Sequence, residues 1–506
     1  MQYEPIELFS TRTMYRLREN TPAQAATETV IRRDLEKIYV TVKCHEPAAI
    51  NTASSGNAYV VWEGDNLEVI LGNLGEHPWY RHFVVGAGGG RHSIYAGLDE
   101  WRGEVTVLED HYWEAEFEIP LCLLGSYDST LRFNLLRQRV NDNEIQTAAF
   151  IDYGHDLEVF LEIPAALPAN AVKHGPWVHQ VTAHQAALGW ETCGEASSMP
   201  ELRMQGEESY KAVGQISVHE DGKLRRAQFD SLQADTLYEY RIGNVHGEFR
   251  TMKDAEDDFS FMLLADTHDD AQRFGKILQH PEIQDCDFAV YLGDMLTSSL
   301  DRALYYDAFL DASVKYWHKP FHYVRGNHEF RGRGREAFYD LFGKGNYAFS
   351  HGGIMFILLE IEGDLPPAEK ARWNEMQKVF LQELVQSAEF KTARSRIILS
   401  HVAPLLPETA EGQAAEDIFS VLPPGSVDLF ISGHKHSYSY IGVNSDKIES
   451  LNKKRFGGKT AYIHDYPLLI THYAGFLRVD RQGKKLTVQA WDQNDKKVDT
   501  KEFILE

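Results

Sequence analysis

The sequence predicts a multidomain fold in which two β-sandwiches precede a larger α/β domain. The chain has 506 residues, and at roughly 100–200 residues per domain this length suggests about three domains. Short apolar runs separated by turn residues fill the first half, whereas strand and helix patterns alternate after residue 258. We place the three domains at residues 1–168, 173–254 and 257–506.

The first half of the chain is predicted to be β-structure. Its opening segment contains the runs KIYVTVKC, AYVVWEG, LEVILGN and WEAEFEI between Gly, Asn, Asp and Pro turns, a pattern typical of a β-sandwich. An Ala- and Pro-rich segment (165–176) follows and is predicted to be a linker. From about residue 175 to 251, the length and strand count suit a second, immunoglobulin-like sandwich.

In the last domain the predicted strands end in polar residues. These strands are DFSFMLLAD, DFAVYLGD, FHYVRGNHE, RIILSHVAP and VDLFISGHKH, and helices are predicted over 270–280 and 301–317. In α/β sheets, ligands gather at the carboxyl ends of the strands. We therefore expect the polar residues that follow these strands to form the functional site.

The net charge and the cysteine content disfavour several classes of function. The formal net charge is −24, which disfavours nucleic-acid polymers and anionic membranes as partners because like charges repel over long range. No stretch approaches the ~20 apolar residues of a membrane span. The four cysteines match neither a disulfide framework nor a metal spacing. No apolar leader is present at the start, so we expect a cytoplasmic protein, or a secreted or periplasmic one if a leader has been removed.

The polar strand ends share one pattern, in which carboxylate or amide oxygens stand next to imidazoles. The motifs are D-T-H (266–268), G-D (293–294), G-N-H-E (326–329), H (401) and G-H-K-H (433–436). This donor set suits Zn, Fe, Mn or similar ions rather than Ca. One such histidine alone is more often structural, but five motifs in order predict a metal site. The glycines beside them, Gly293, Gly326 and Gly433, are expected to let the backbone turn sharply.

This ordered series of motifs resembles the calcineurin-like metallophosphoesterase superfamily over residues 258–506. The resemblance implies a four-layer α/β/β/α sandwich that holds two transition-metal ions (Fe, Mn, Zn or Co) between its sheets. The residues carried over by motif are Asp266, His268 and His436 for one ion, Asn327, His401 and His434 for the other, and Asp294 as the bridge.

A pair of ions predicts hydrolysis of a phosphate ester. Two divalent ions need a shared anionic ligand such as Asp294, and they clamp the attacking and leaving oxygens of an in-line displacement. The predicted nucleophile is a hydroxide that bridges the ions, and His328 is the predicted general acid. The alternative role for His328 is to orient Asn327. Asp269 and Glu329 are expected to fix the imidazole tautomers.

A basic loop, E-F-R-G-R-G-R, follows the third motif. Guanidinium forks match phosphate oxygens in pairs. We expect Arg331, which is nearest the motif, to bind substrate together with Asn327 and His328. The alternative is a solvated loop in which Arg331, Arg333 and Arg335 pair with surface acids.

The second sandwich and the end of the chain are similar to the purple acid phosphatase branch. W-E-T (190–192), T-L-Y-E-Y-R-I (236–242) and E-F-R-T (248–251) resemble its fibronectin-type domain. That branch carries D-x-G and G-D-x-x-Y, whereas this chain has His268 in place of the glycine and Thr297 in place of the tyrosine. We therefore expect a purple-phosphatase-like layout without the tyrosinate colour.

The first domain more faintly resembles family-nine carbohydrate-binding modules. The resemblance lies in W-E-G-D-N-L-E-V (62–69), W-E-A-E-F-E-I-P (113–120) and R-F-N-L-L-R (132–137). Such modules can clamp sugars between aromatic rings, and the tryptophans available are Trp62, Trp79, Trp101 and Trp113. Because tryptophans are more often core or interface residues than sugar platforms, core packing or an oligomer contact is the favoured role for these rings.

The leading hypothesis is a two-metal phosphoesterase that hydrolyses small phosphate mono- or diesters. Two alternatives stay open. The first is a carbohydrate-binding protein with a vestigial phosphoesterase domain, for which missing metal ligands would be the sign. The second is a nucleotide phosphodiesterase, since the net charge weighs against polymers but not against mononucleotides.

Overall fold

The computed structural model describes two compact units, Tyr3–Ala171 and Val172–Glu506 together with Met1–Gln2. Positions outside the described residues are 1, 18, 20, 24, 48, 54, 56, 57, 110, 126, 128, 129, 150–156, 196, 197, 213, 214, 361–364, 404–416, 444–447, 451–463 and 506.

The first unit is a β-sandwich. After a two-residue β1 (Gln2–Tyr3) at the start of the chain, its strands are β2 (Ile6–Thr11), β3 (Tyr15–Arg16), β4 (Thr27–Arg33), β5 (Lys37–His45), β6 (Asn66–Asn73), β7 (Trp79–Gly86), β8 (Arg91–Ile94), β9 (Arg102–Glu109), β10 (Tyr112–Pro120), β11 (Thr130–Arg139), β12 (Glu144–Thr147) and β13 (Leu161–Pro164). Short 3-10 helices lie at Ala58–Glu63, Leu121–Leu123 and Leu157–Val159. One sheet has the order β2-β4-β5-β10-β9, and the other has the order β3-β12-β11-β6-β7-β8 with β13 on β11.

Alternating side chains build the core of this sandwich. Along β10, every second residue from Trp113 to Ile119 is fully buried, as expected for a strand with one face towards a core. Trp101 and Trp113 both belong to that core, with exposed fractions of 4% and 0%. Neither ring can therefore stack on a sugar, and the expected core packing is confirmed for these two tryptophans. Trp62 and Trp79 are half-buried.

The second unit begins with the immunoglobulin-like strands. They are β14 (Val172–His179), β15 (Ala186–Thr192), β16 (Glu201–Met204), β17 (Lys211–Ala212), β18 (Gln215–Val218), β19 (Leu224–Phe229), β20 (Leu237–Ile242) and β21 (Val245–Arg250). One sheet contains β21-β20-β16-β17, and the other contains β18-β19-β15-β14. Because β14 begins at Val172, the prediction of a linker is wrong for the second half of the segment 165–176.

The remaining strands and helices follow in an α/β pattern. The strands are β22 (Phe259–Leu264), β23 (Phe288–Tyr291), β24 (Phe321–Tyr323), β25 (Tyr347–His351), β26 (Ile354–Leu359), β27 (Ser395–Ser400), β28 (Leu429–Ser432), β29 (Ser439–Ile441), β30 (Ile448–Ser450), β31 (Leu468–Ile470), β32 (Phe476–Gln482), β33 (Lys485–Trp491) and β34 (Lys497–Ile504). The helices are α1 (Ala271–Leu278), α2 (Ala303–Tyr305), α3 (Ala337–Phe342), α4 (Pro367–Leu384) and α5 (Ala388–Thr392), with a 3-10 turn at Pro281–Ile283.

Both predicted helices are confirmed. The first is α1, where the Asp270 side chain caps the helix by accepting the backbone N–H of Arg273 at 2.9 Å. The second, predicted over 301–317, starts as α2 and continues through two π-helical segments, Tyr306–Leu310 and Ser313–Trp317.

Two sheets carry this part of the fold. The first is a ten-stranded sheet of order β18-β19-β15-β14-β24-β23-β22-β32-β33-β34, and the second has the order β25-β26-β27-β28-β31-β29-β30. In the first sheet β14 runs parallel to β24, with His179 opposite Phe321. The segments 173–254 and 257–506 therefore share a sheet, and their division into separate domains stays a prediction.

Aromatic rings pack these two sheets face to face. Phe261 of β22 lies 5.2 Å from Phe356 of β26, measured between ring centroids. Phe288 of β23 lies 5.8 Å from Phe349 of β25. All four rings are at most 4% exposed, so the two sheets form a continuous apolar core between them.

Helices cover the outer faces of both sheets. On the first sheet, Phe274 of α1 packs 5.3 Å from Tyr291 of β23. On the second sheet, Leu381 of α4 and Phe390 of α5 share a buried cluster with Ile357 of β26. The order helix, sheet, sheet, helix confirms the predicted four-layer sandwich.

Candidate metal centre

Five loops bring the motif residues together at the carboxyl ends of the strands. β22, β23 and β24 are parallel neighbours in the first sheet, and β27 and β28 are parallel neighbours in the second. Donor atoms within 4.8 Å of one another form two groups, which are Asp266, His268, Asp294 and His436, and Asp294, His401 and His434. Asp294 belongs to both groups, which is the position expected of a bridge.

Asn327 lies beside the second group. Its Oδ1 atom is 3.0 Å from Nδ1 of His434. Asn327 lies in the loop that follows β24. The structure therefore brings all seven predicted ligands into one cluster.

The backbone at these loops adopts an unusual conformation. Five site residues have left-handed φ angles, which non-glycine residues rarely adopt: Asp266 (60°), His268 (46°), Asp294 (54°), His434 (70°) and His436 (55°). Each such residue costs about 1–3 kcal/mol, and strain of this kind collects at functional sites. Hydrogen bonds between the loops hold it in place, since the Asp266 N–H donates to Gly293 O at 3.1 Å and the His268 N–H donates to Asp294 O at 3.1 Å.

The flanking glycines serve two different purposes. Gly293 has a φ of +85° and confirms the expected sharp turn. Gly326 and Gly433 do not have left-handed φ angles, so a left-handed turn is not what requires glycine at these two positions. Glycine is required there because neighbouring loops leave no room for a side chain. A Cβ on Gly433 would lie 2.7 Å from Ala265 Cβ and 3.0 Å from Asp266 Oδ2, and a Cβ on Gly326 would overlap Asp294.

Glu329 and Asp269 hold backbone, not imidazoles. The buried Glu329 carboxylate accepts the N–H groups of Gly326 at 2.8 Å, Asp294 at 2.9 Å and Leu296 at 3.0 Å. Burial, followed by the charge of Asp294, raises the pKa of Glu329. Asp269 Oδ2 accepts the N–H of Thr297 at 3.1 Å. The expectation that these two carboxylates fix imidazole tautomers is therefore wrong.

A backbone carbonyl fixes the tautomer of His401 instead. Nδ1 of His401 lies 2.6 Å from the carbonyl oxygen of Leu292. A carbonyl only accepts, so Nδ1 carries the proton, and Nε2 of the neutral ring presents a lone pair. This buried Nε2 lies 3.0 Å from Asp294 Oδ2 and 4.0 Å from Asp266 Oδ1, in a geometry that makes no good hydrogen bond. A lone pair that faces two carboxylates fits a cation between them.

Electrostatics point in the same direction. Burial alone would lower the pKa of His401, but the Asp294 and Asp266 carboxylates raise the pKa to about 10. Burial likewise works against the charge of Asp294, yet His401 holds the pKa of Asp294 well below its usual range. This field stabilises positive charge, and a metal ion can supply that charge as well as a proton can.

The first group shows the same fit. Nε2 of His268 lies 3.1 Å from Nε2 of His436, which in turn lies 3.2 Å from Asp266 Oδ1. Two imidazole nitrogens and a carboxylate oxygen that converge in this way match the donor set of a transition-metal ion. Burial lowers the pKa of His268, which favours the neutral form that binds metal.

Comparisons with known proteins agree with this geometry. The family model described as calcineurin-like phosphoesterase matches residues 259–438. The chain contains a calcineurin-like phosphoesterase domain. The purple acid phosphatase PPD1 from yellow lupin (Lupinus luteus) seeds superposes on 93% of this chain and over 93% of its own length, with 11% identity and a TM-score of 0.52. The two proteins therefore share a fold.

Other solved structures are similar to a smaller part of the chain. A carbohydrate-binding protein from Bacteroides uniformis superposes on 32% of this chain and over 85% of its own length, with 16% identity and a TM-score of 0.25. A family-nine carbohydrate-binding module from Caldicellulosiruptor kristjanssonii also covers 32% of this chain and 82% of its own length, with 14% identity and a TM-score of 0.24. No curated protein matches the chain. Among the described residues, no helix is both long enough and apolar enough to span a membrane.

His328 and Arg331 form a pair at the rim of the phosphoesterase site. The His328 N–H donates to Asp294 Oδ1 at 2.9 Å, and Nδ1 lies 2.8 Å from the carbonyl oxygen of Thr297. Nη1 of Arg331 lies 2.6 Å from Nε2 of His328. The backbone carbonyl of Thr297 thus orients His328.

The other two arginines of the basic loop have different surroundings from Arg331. Arg335 pairs with Glu369 at 3.0 Å and with Glu336 at 3.6 Å, and Arg333 is exposed. The alternative of a solvated, acid-paired loop therefore describes Arg335, whereas Arg331 is the arginine that the structure brings to His328.

Tyr473 is a site residue that the motifs miss. Its ring centroid lies 5.1 Å from that of His436 and 6.0 Å from that of His268. It follows β31, another parallel strand of the second sheet. The polar run T-H-Y (471–473) after the apolar L-L-I (468–470) is the signal that could have found it.

Proposed function

We propose that this chain is a dinuclear-metal-dependent phosphoesterase that hydrolyses phosphate mono- or diesters. A metal-dependent phosphoester hydrolase is what the matched domain supports. The observation that carries the finer proposal is the pair of donor groups that share the buried Asp294. In a two-metal site, this shared carboxylate offsets the repulsion between the ions.

The ligand assignment follows the two groups. Asp266, His268 and His436 would hold one ion, Asn327, His401 and His434 would hold the other, and Asp294 would contact both. Bound ions would polarise the phosphoryl oxygens and supply an activated water. Fe, Mn, Zn and Co all suit these donors, and affinity alone does not choose among them.

The side chains of the cluster define a floor and an open side. The floor is Asp266, Asp294 and His401, whose side chains are 0%, 1% and 0% exposed. His436 and His328 are 26% and 19% exposed, so a phosphate would approach from their side. This arrangement supports a small phosphorylated substrate.

His328 and Arg331 would act in sequence. The Thr297 carbonyl oxygen lies 2.8 Å from Nδ1 of His328, and Nη1 of Arg331 lies 2.6 Å from Nε2 and 2.9 Å from Nδ1, so the ring is held between these two groups. An incoming phosphate offers the guanidinium a better acceptor because it is charged. Movement of Arg331 onto the phosphate would free Nε2 to take up a proton and pass it to the leaving oxygen. This supports His328 as general acid and Arg331 as a substrate-binding residue.

Carbohydrate contact is a second proposal, and it concerns the first unit. Tyr95 is 66% exposed and lies 5.3 Å from Tyr80. The Arg81 guanidinium lies 5.6 Å from the Trp79 ring and 6.0 Å from the Tyr95 ring. An exposed tyrosine beside two half-buried aromatic rings and a guanidinium suits a sugar face. Retardation in gels that contain soluble glucan, lost in Tyr95→Ala, tests this proposal; no retardation of the wild-type protein contradicts it.

The central experiment tests metal and turnover together. Purified protein is stripped of metal, reloaded with Mn, Zn, Co or Fe, and assayed with p-nitrophenyl phosphate and bis(p-nitrophenyl) phosphate. We expect about two ions per chain and turnover of at least one ester. The bis-ester discriminates a diesterase from a monoesterase. No turnover with any of these metals from acid to alkaline pH would contradict the proposal, and fewer than one tightly bound ion would favour a vestigial domain.

A further inference from the structure

Tyr473 is built firmly into the loop after β31. The neighbouring Ala474 is 3% exposed and has a left-handed φ of 46°. Its carbonyl oxygen accepts from Nε of Arg273 at 2.9 Å, and the Gly475 N–H donates to His472 O at 3.1 Å. Arg273 lies on α1, directly after the first metal motif. The loop that carries Tyr473 is thus tied to the loop that carries Asp266 and His268.

The imidazoles of the site are oriented in two different ways. His401 and His328 each place Nδ1 on a backbone carbonyl, at 2.6 Å and 2.8 Å. Within the described part of the chain, His268 and His436 have no such partner for Nδ1, because their hydrogen-bonding contacts all involve Nε2. A metal-binding imidazole normally has its second nitrogen fixed by an acceptor. These two rings need another means of orientation.

We propose that Tyr473 is the positioning residue for His268 and His436. Its ring is nearly parallel to that of His268, at 21°, and tilted by 41° to that of His436. One flat ring that packs on both imidazoles restricts the rotation that an acceptor would otherwise restrict. The role rests on the proposed function, because it concerns the ligands of the first ion.

The contact pattern makes the effect selective. Tyr473 packs on two residues of the group that contains Asp266, His268, Asp294 and His436. Of the second group, His401 is held by Leu292 O and His434 faces Asn327. Loss of the Tyr473 ring should therefore weaken the binding of one ion and leave the affinity for the other unchanged.

Metal titration of three variants tests this role. Full-length wild-type protein, Tyr473→Ala and Tyr473→Phe are stripped of metal and titrated with zinc in a calorimeter. We expect two ions in the wild type. In Tyr473→Ala one ion should keep its affinity and the other should bind about 10–100-fold more weakly, the usual cost of losing a residue that orients a ligand. Tyr473→Phe, which keeps the ring, should match the wild type. Met199→Ala, a side-chain truncation at an exposed position just before β16, is the control.

Each contrary outcome has a distinct meaning. Two ions at wild-type affinity in Tyr473→Ala would overturn the positioning role. A Tyr473→Phe variant as weak as Tyr473→Ala would also overturn it, since the hydroxyl and not the ring would then matter. If the alanine variant does not fold, Tyr473→Leu fills the space without a flat ring, and wild-type affinity for both ions in that variant overturns the proposal. Fewer than two ions in the wild type would contradict the dinuclear centre itself.

Discussion

Nε2 of His401 lies 3.0 Å from Oδ2 of Asp294, and both side chains are buried. Nδ1 of the same ring is taken up by the Leu292 carbonyl at 2.6 Å. The contact therefore joins a fixed imidazole to the one carboxylate that both donor groups share. Positive charge is therefore favoured at this contact.

Asp294→Ala should remove the pairing of metal ions and the activity together. The carboxylate faces both donor groups, so its loss leaves two ions without a shared anion to offset their repulsion. We expect at most one ion per chain and a loss of kcat/KM greater than about 100-fold. Metal analysis and ester hydrolysis measure the two effects. A variant that keeps two ions would show that Asp294 is not the bridge.

The metal-free protein should lose stability as the pH rises above neutrality. The pKa of His401 is raised to about 10 in the folded chain, against about 6.5 when unfolded. The stabilisation from its proton is fully present below about pH 6.5 and is lost as the pH rises towards 10. Urea midpoints measured between pH 6 and 10 should fall, and His401→Gln should fall less. Equal slopes in the two proteins would exclude His401 as the source.

His328→Ala should keep both metals and lose turnover. The ring contacts Asp294 through its backbone N–H, but it is not a member of either donor group. Loss of a general acid costs about 10²–10⁴-fold, and the cost is greatest for leaving groups that need a proton. Comparison of kcat for p-nitrophenyl phosphate with an alkyl phosphate measures this. Full activity on the alkyl ester would leave His328 with the orienting role alone.

Arg331→Ala should raise KM, whereas Arg333→Ala should not. The two residues belong to the same loop and carry the same charge, but Arg331 contacts His328 and Arg333 is exposed. A charge-assisted hydrogen bond to phosphate contributes about 1.5–3 kcal/mol, which corresponds to roughly 10–100-fold in kcat/KM. Steady-state kinetics of both variants decide the matter. Equal increases of KM in the two variants would indicate that the positive charge of the loop as a whole, and not Arg331 in particular, attracts the substrate.

Arg302→Ala should weaken the second unit without touching the metal site. Nη2 of Arg302 reaches Glu191 at 2.7 Å and Asp221 at 2.5 Å, and so joins the helix after β23 to the immunoglobulin-like strands. Its side chain is 19% exposed, so after allowance for solvent screening we expect a loss of about 1–3 kcal/mol. Urea unfolding measures this, with Arg333→Ala as the matched control. A urea midpoint equal to that of the control would contradict a stabilising role for the contacts of Arg302 with Glu191 and Asp221.

The metal ligands could be predicted because the ordered motifs resemble those of the calcineurin-like family, and the position of each motif at a strand end predicted that they would meet. Parallel strands bring their carboxyl ends to one edge, so ordered motifs become neighbours without knowledge of the loops. The four-layer fold was implied by the same family resemblance.

The orienting groups could not be predicted in this way. Leu292 and Thr297 act through backbone oxygens, which carry no side-chain signature. Glu329 was recognised as a supporting group, but its partners are three N–H groups whose directions depend on the left-handed turns around Asp294. Tyr473 lies 35 positions past the end of the matched segment at residue 438. Only the folded second sheet brings it to His436.

The shared ten-stranded sheet bears on how this protein can be divided. β24 has β23 on one side and β14 on the other, where the Gln180 N–H also donates to Phe321 O at 3.2 Å. A fragment that starts at residue 257 would leave that side of β24 without its neighbour, beside the loop that carries Asn327 and His328. Unpaired strand edges attract other chains. We therefore expect such a fragment to self-associate more readily than the full chain, in which β14 covers this edge of β24.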